Sequence, residues 1–174
     1  MSESQLEQLL AQQHTREQDI VDVDEPVTKL VIFSLADYHF ALPGTAIKEI
    51  LQGTEAVFFV PGMPASVEGV INVRGDIESV IQLNALLQLP VSAEQKLLQG
   101  SSILLARGTD MHSGLRVDRL LDVVDIALSQ IQPAPDALPE YLQPYVTGLL
   151  EFNALAVAIL DIDTLFAAWQ KGQG

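Results

Sequence analysis

The chain has no cysteine, which excludes a disulfide framework, a thiolate zinc site and a cysteine nucleophile in one step. Bases are scarce: 9 Lys and Arg stand against 23 Asp and Glu, and charged residues make only 18% of the 174 positions. The resulting formal charge of −14 argues against nucleic acid or anionic membrane as the main partner, because phosphate contacts need Lys or Arg. No apolar run approaches the roughly 18 residues of a membrane span, and MSESQLEQLLAQQ carries acids where a secretory signal carries bases. A soluble, cytoplasmic protein is the expectation. Its apolar share of 48% suffices for a core without metals or disulfides.

Residues 1–25 hold seven acids (Glu3, Glu7, Glu17, Asp19, Asp22, Asp24, Glu25) against Arg16, a net −6 that leaves −8 for the rest. Ser4 and Glu7 have capping-box spacing, and Leu6, Leu9 and Leu10 mark a narrow apolar stripe. Two readings stand: a marginal helix that frays in water, and a helix that docks on its own body or on a partner. We therefore take 1–26 as an acidic tail and 27–170 as the body.

In the body, short apolar runs alternate with turn residues. LVIFSL and YHFAL flank Ala36-Asp37 as a hairpin; IKEIL and VFFV follow, then Pro61-Gly62-Met63-Pro64 and a helical turn expected over 65–68. GVINV and DIESVIQL join around Arg74-Gly75, and short helices are expected over 84–89 and 163–169. The second half repeats the first. At a shift of 73, VIFSLADYHFAL falls on LLARGTDMHSGL and Glu49 on Asp122; at a shift of 79, Gly69 falls on Gly148 and nine apolar positions coincide. Each unit, a hairpin, a third strand, a strand pair and a closing helix, describes a small β-barrel with helical trim.

Catalytic constellations are absent from the sequence. His14, His39 and His112 have no metal-protease spacing, no glycine loop cradles phosphate, and neither a catalytic nor a metal site nor a cofactor is expected. Asp118, Asp122 and Asp125, like Asp161 and Asp163, are expected as solvated surface or helix caps. Arg74 stands out as the only base between Lys48 and Lys96, amid Glu55, Glu68, Asp76 and Glu78. Two roles remain open for it: an ion pair with a nearby acid, and an anchor in a protein interface.

GVINVRGDIESVIQL resembles the G-V-x-N-x-R-G-x-x-x-P-x-x-D-L signature of CheW-like chemotaxis coupling proteins. LVIFSLADYHFALPGTAIKEIL is similar to their opening hairpin with its I-x-E-I segment, RVDRLLDVVDI to their V-D-x-V-x-x-V strand, and QIQPAPDALPEYLQPYVTGLL to their I-x-P-x-P…Y-x-x-G stretch. The resemblance implies a mainly β fold of two pseudo-symmetric five-stranded barrel subdomains, roughly 27–92 and 98–170, with terminal strands open to exchange. It also implies a non-catalytic adaptor that bridges the cytoplasmic tip of a chemoreceptor to the regulatory domain of a CheA-type histidine kinase, recruited to receptor arrays at the inner face of the membrane. Asn72, Arg74 and Gly75 match the signature, and Ile47, Glu49 and Ile50 match the I-x-E-I segment; these six are the interface candidates. For the isoleucines, barrel core is the competing role. Ser79 and Gln82 stand where the family has Pro and Asp, so an adaptor of a pilus-motility or second-messenger array also fits. The other classes weighed are a ligand-binding barrel or enzyme, and a variant that binds one partner and competes through its tail.

Overall fold

The computed structural model describes Gln5 and residues 25–90 and 100–173. The lead helix expected around Leu6–Leu10 lies outside them, as does most of the linker after Pro90. Ten strands carry the body: β1 Val27–Leu35, β2 Tyr38–Pro43, β3 Ile47–Gln52, β4 Val67–Val73, β5 Asp76–Gln82, β6 Ser102–Arg107, β7 His112–Val117, β8 Arg119–Ala127, β9 Val146–Phe152 and β10 Leu155–Leu160. They form two five-stranded sheets, ordered β8-β1-β2-β10-β9 and β3-β6-β7-β5-β4.

LVIFSL lacks a polar face because both of its faces are covered. Leu30 and Ile32 turn into the first sheet's own small core with Ala41, Ile126, Leu150, Val157 and Ile159. Val31, Phe33 and Leu35 turn the other way, into a larger core shared with Leu104, Leu115 and Val117 of the second sheet. The second sheet curls likewise round Ile71, Val80, Ile103 and Leu105. Neither sheet is closed by a strand ladder among the described residues, so the expected barrels are open, SH3-like sheets.

The repeat holds down to its irregularities. Val67 pairs with Ile81 and Gly69 with Val80 across a bulge, and Val146 pairs with Leu160 and Gly148 with Ile159 across its counterpart. The linking turns Arg74-Gly75 and Asn153-Ala154 have φ of 52°, 92°, 49° and 64°, positive at both central residues as tight hairpin turns require. At the shift of 73, Ile47 opposite Ala106 and Glu49 opposite Leu105 match Leu120 opposite Phe33 and Asp122 opposite Ile32, again across a bulge.

The two sheets are interleaved in sequence. The hairpin β1–β2 of the first repeat lies in the sheet of β8, β9 and β10, and the hairpin β6–β7 of the second lies in the sheet of β3, β4 and β5. Local expectations need small corrections. Residues 65–66 are a turn and Val67 and Glu68 already belong to β4; VFFV contributes a single bridge, Phe58 to Val70. The short helix is Leu83–Leu86, stopped before Gln88 at φ 59°, and the last helix is Ile162–Gln173. Asp161 starts it by accepting the Thr164 N–H at 3.0 Å.

Candidate protein interface

β3 and β8 are the equivalent edge strands of the two sheets, and together they line a cleft between them. Strict alternation sets residues an odd number apart on opposite faces, yet Ile47 and Ile50 both pack on the shared core. The bulge at Lys48 supplies the extra residue that brings them round to one side. Its counterpart at Leu121 does the same for Leu120 and Val123 across the cleft. The isoleucines are thus half-buried: core support on one flank and cleft wall on the other. The larger lobe of the cleft, about 430 Å³, runs from Ile50 and Leu120 to Gly100, Ser101 and Ser102.

The polar candidates meet at the rim. Asn72 Oδ1 accepts the Gly75 N–H at 2.8 Å, which fixes the turn, and positive φ at Arg74 aims its side chain back over the sheet. Both oxygens of Glu49 are engaged: Arg74 Nη1 donates to Oε2 at 2.9 Å and Nη2 to Oε1. Glu49 holds the Arg74 pKa above its ordinary value, first by hydrogen bonding and then by charge. β3 and β4 are the outermost strands of their sheet, so this forked pair clasps edges that no ladder joins. The Arg74 side chain remains 75% exposed. It therefore fills the first of the two roles left open by the sequence, an ion pair, and keeps its side chain accessible.

A second surface lies on the outer face of β4 and β5. Phe58 pairs with Val70, and Ile77 stands opposite Asn72; Phe58 is 60% and Ile77 63% exposed. The counterparts in the other sheet are Gln132, paired with Leu149, and Ala156, so at these matched positions the large exposed apolar side chains belong to the second sheet.

A cleft between two edge strands and an exposed apolar face thus lie on one duplicated β body. The CheW-like domain family matches residues 29–169. The chain belongs to this family. It is similar to the chemotaxis protein CheW of Thermotoga maritima, 34% identical over 137 residues that cover 79% of this chain and 86% of that protein. Against the CheW of Rhizobium meliloti it is 27% identical over 143 residues, covering 82% and 90%. The crystal structure of the scaffolding protein TtCheW from Thermoanaerobacter tengcongensis superposes with a TM-score of 0.69 at 26% identity, covering 81% of this chain and 93% of that one. As a CheW-like domain the protein is an adaptor and not an enzyme.

The departures of this CheW-like domain from the family signature are structurally accommodated. Ser79, in place of Pro, lies 2.7 Å hydroxyl to hydroxyl from Ser113 across the β5–β7 seam. Gln82, in place of Asp, donates its backbone N–H to Ser66 O at 2.8 Å.

Sequence reasoning missed Arg116. It is 1% exposed, with Nε and Nη2 on Glu68 at 3.0 and 2.6 Å and Nη1 on Gly53 O at 2.8 Å and Ser101 Oγ at 3.1 Å. The signal was present: a base inside the apolar strand HSGLRV, where burial demands a partner. Asp118 is also a correction, since it is buried rather than solvated and accepts the Ala36 N–H at 2.7 Å, holding the β1–β2 turn. Asp122 and Asp125 are exposed as expected.

Asp163 is a loop clamp. Its Oδ1 accepts the Thr109 N–H at 2.6 Å and its Oδ2 the Thr109 hydroxyl at 2.8 Å, which holds its pKa below the usual aspartate range. A lowered folded-state pKa gives stability that is present above the unfolded value and lost as pH falls through the folded one. A carboxyl NMR titration is expected to place the Asp163 midpoint below that of Asp163 in a Thr109→Ala variant; equal midpoints would refute the clamp.

Proposed function

We propose that this protein couples chemoreceptors to a CheA-type histidine kinase. In this reading the cleft between β3 and β8 takes the receptor's helical cytoplasmic tip, and the outer face of β4–β5 takes the kinase regulatory domain. The observation that carries it is the Arg74–Glu49 pair, which joins a strand of the cleft to the hairpin that bears the second surface. An adaptor transmits only if it contacts its partners differently in their signalling states. A forked ion pair between two edge strands, made or replaced by a partner carboxylate, is such a contact. No helix of the described residues is long and apolar enough to cross a membrane.

Two substitutions separate the surfaces. Arg74→Glu, which sets like charges against Glu49, is expected to weaken binding of a receptor-tip helix about tenfold while leaving kinase-domain binding nearly unchanged; Ile77→Asp is expected to do the reverse. Titration calorimetry on variants with native circular dichroism measures both. Unchanged tip affinity in folded Arg74→Glu would sink the cleft assignment.

A further inference from the structure

The cleft has a candidate occupant within the same chain. The geometry points to the acidic lead segment, residues 3–10, docking its Leu6–Leu9–Leu10 stripe into the cleft between β3 and β8 and competing there with a helical partner. The competition rests on the reading of that cleft as the partner site; the docking itself does not.

Three observations carry it. First, the segment enters the body at the right edge. Glu25 accepts a hydrogen bond from the Ser129 hydroxyl, the Leu128 N–H donates to Pro26 O at 2.9 Å, and Val27 opens the β1–β8 ladder opposite Ala127. Val123 of the cleft wall is four residues back along that same strand, a distance of about 13 Å. The 15 residues from Leu10 to Glu25 span up to roughly 50 Å, so the stripe reaches the cleft without strain. Second, the cleft is apolar in its walls, with Ile47, Ile50 and Val123, and carries Lys29 and Lys48 at its rim beside Glu49, whose charge Arg74 already offsets, and with Asp125 opposite Lys29 on the neighbouring strand. Neither lysine has an ion pair among the described residues. In a chain with only 9 bases, two ammonium groups beside an apolar slot complement a leucine stripe flanked by Glu3 and Glu7. Third, leucines at i, i+3 and i+4 form one helical face, the shape that fits a slot between two strands.

Tethering supplies an effective concentration in the millimolar range, so even a weak contact is populated, and the affinity of a competing helix falls by the fraction of clefts left open. The chain of 174 residues has no cysteine, so a nitroxide on Gln12→Cys reports from a single site. Expected is selective broadening of amide signals at Ile47–Ile50 and Leu120–Val123, abolished by Leu6→Glu/Leu9→Glu and by Lys29→Glu/Lys48→Glu. Uniform broadening, or broadening centred on Phe58 and Ile77, would overturn the docking. Broadening only when spin-labelled chains are mixed with isotope-labelled ones at high concentration would overturn it in favour of a second copy. With docking established, Leu6→Glu/Leu9→Glu is expected to tighten binding of a receptor-tip helix about three- to tenfold. Docking without tightening would refute the cleft as the partner site while leaving the docking in place.

Discussion

Replacing Arg116 with Ala is expected to lower unfolding free energy by about 3–5 kcal/mol, because it leaves Glu68 and the Gly53 carbonyl without the group that satisfies them. The guanidinium is 1% exposed and binds three segments at once: β4 through Glu68, the chain after β3 through Gly53, and the start of β6 through Ser101. Lysine has the charge without the fork, so Arg116→Lys is expected to recover only part of the loss. The decisive comparison is Arg116→Leu paired with Glu68→Leu. Apolar replacement of both partners removes desolvation together with attraction, so the double variant is expected to be more stable than either single one. Urea midpoints at constant slope measure all five variants. A midpoint for Arg116→Ala within error of the parent would show that the pair carries no net stability.

Gly69→Ala is expected to cost about 3 kcal/mol and to disturb the outer face as well. A Cβ there would stand 2.3 Å from the Phe58 carbonyl oxygen and 2.8 Å from its carbon, both backbone atoms that cannot swing aside. The strand segment at Phe58 must retreat, and with it go the bonds Phe58 N–H to Val70 O at 2.8 Å and Val70 N–H to Phe58 O at 2.9 Å. The repeat provides an internal control. At Gly148 the nearest atom is the side-chain Cγ2 of Ile131 at 2.8 Å, and the backbone oxygen of Gln132 stands farther off at 3.0 Å, so a methyl group meets a side chain before it meets backbone. Gly148→Ala is therefore expected to cost about 1–2 kcal/mol. Reversal of that order in thermal or urea unfolding would show that close approach at Phe58 is not the constraint. A crystal structure of the Gly69 variant is expected to show Phe58 shifted from the β4–β5 face.

The duplication was readable because both shifts preserve the alternation of apolar residues, and the structure honours them down to the bulges beside Gly69 and Gly148. The exchange of hairpins was not readable. Whether β1 pairs with its own repeat or with β8, the same side chains face inward, so parity cannot choose between them. Bulges hid part of the interface for a related reason: Ile47 and Ile50 are three apart and share a side only because Lys48 is extra. Arg74 was legible as an isolated base on a turn, whereas its partner Glu49 lies 25 positions away on the far edge of the sheet. Arg116 and Glu68 escaped because one sits in an apolar strand and the other at a bulge, 48 positions apart.

The two sheets are not equally fastened. Counterparts of Arg74 and Glu49 are Asn153 and Asp122, and counterparts of Arg116 and Glu68 are Pro43 and Thr147, so the first sheet has neither forked pair. Its edge strands depend on apolar packing and on the turn clamped by Asp118.

The interleaved hairpins also fix the order in which the chain can be completed. β1 and β2 emerge from synthesis as a hairpin with no sheet to join, and about 84 residues must follow Leu35 before β8 begins at Arg119. At roughly 5–20 residues per second that is a wait of several seconds with LVIFSL uncovered on both faces. Half of the strand ladders, β1–β8, β2–β10, β3–β6 and β5–β7, therefore join segments remote in sequence, a topology that slows folding relative to hairpins alone. Neither half of the duplication can finish alone, and a nascent chain is vulnerable to capture by the matching strands of its neighbour until β10 has been made.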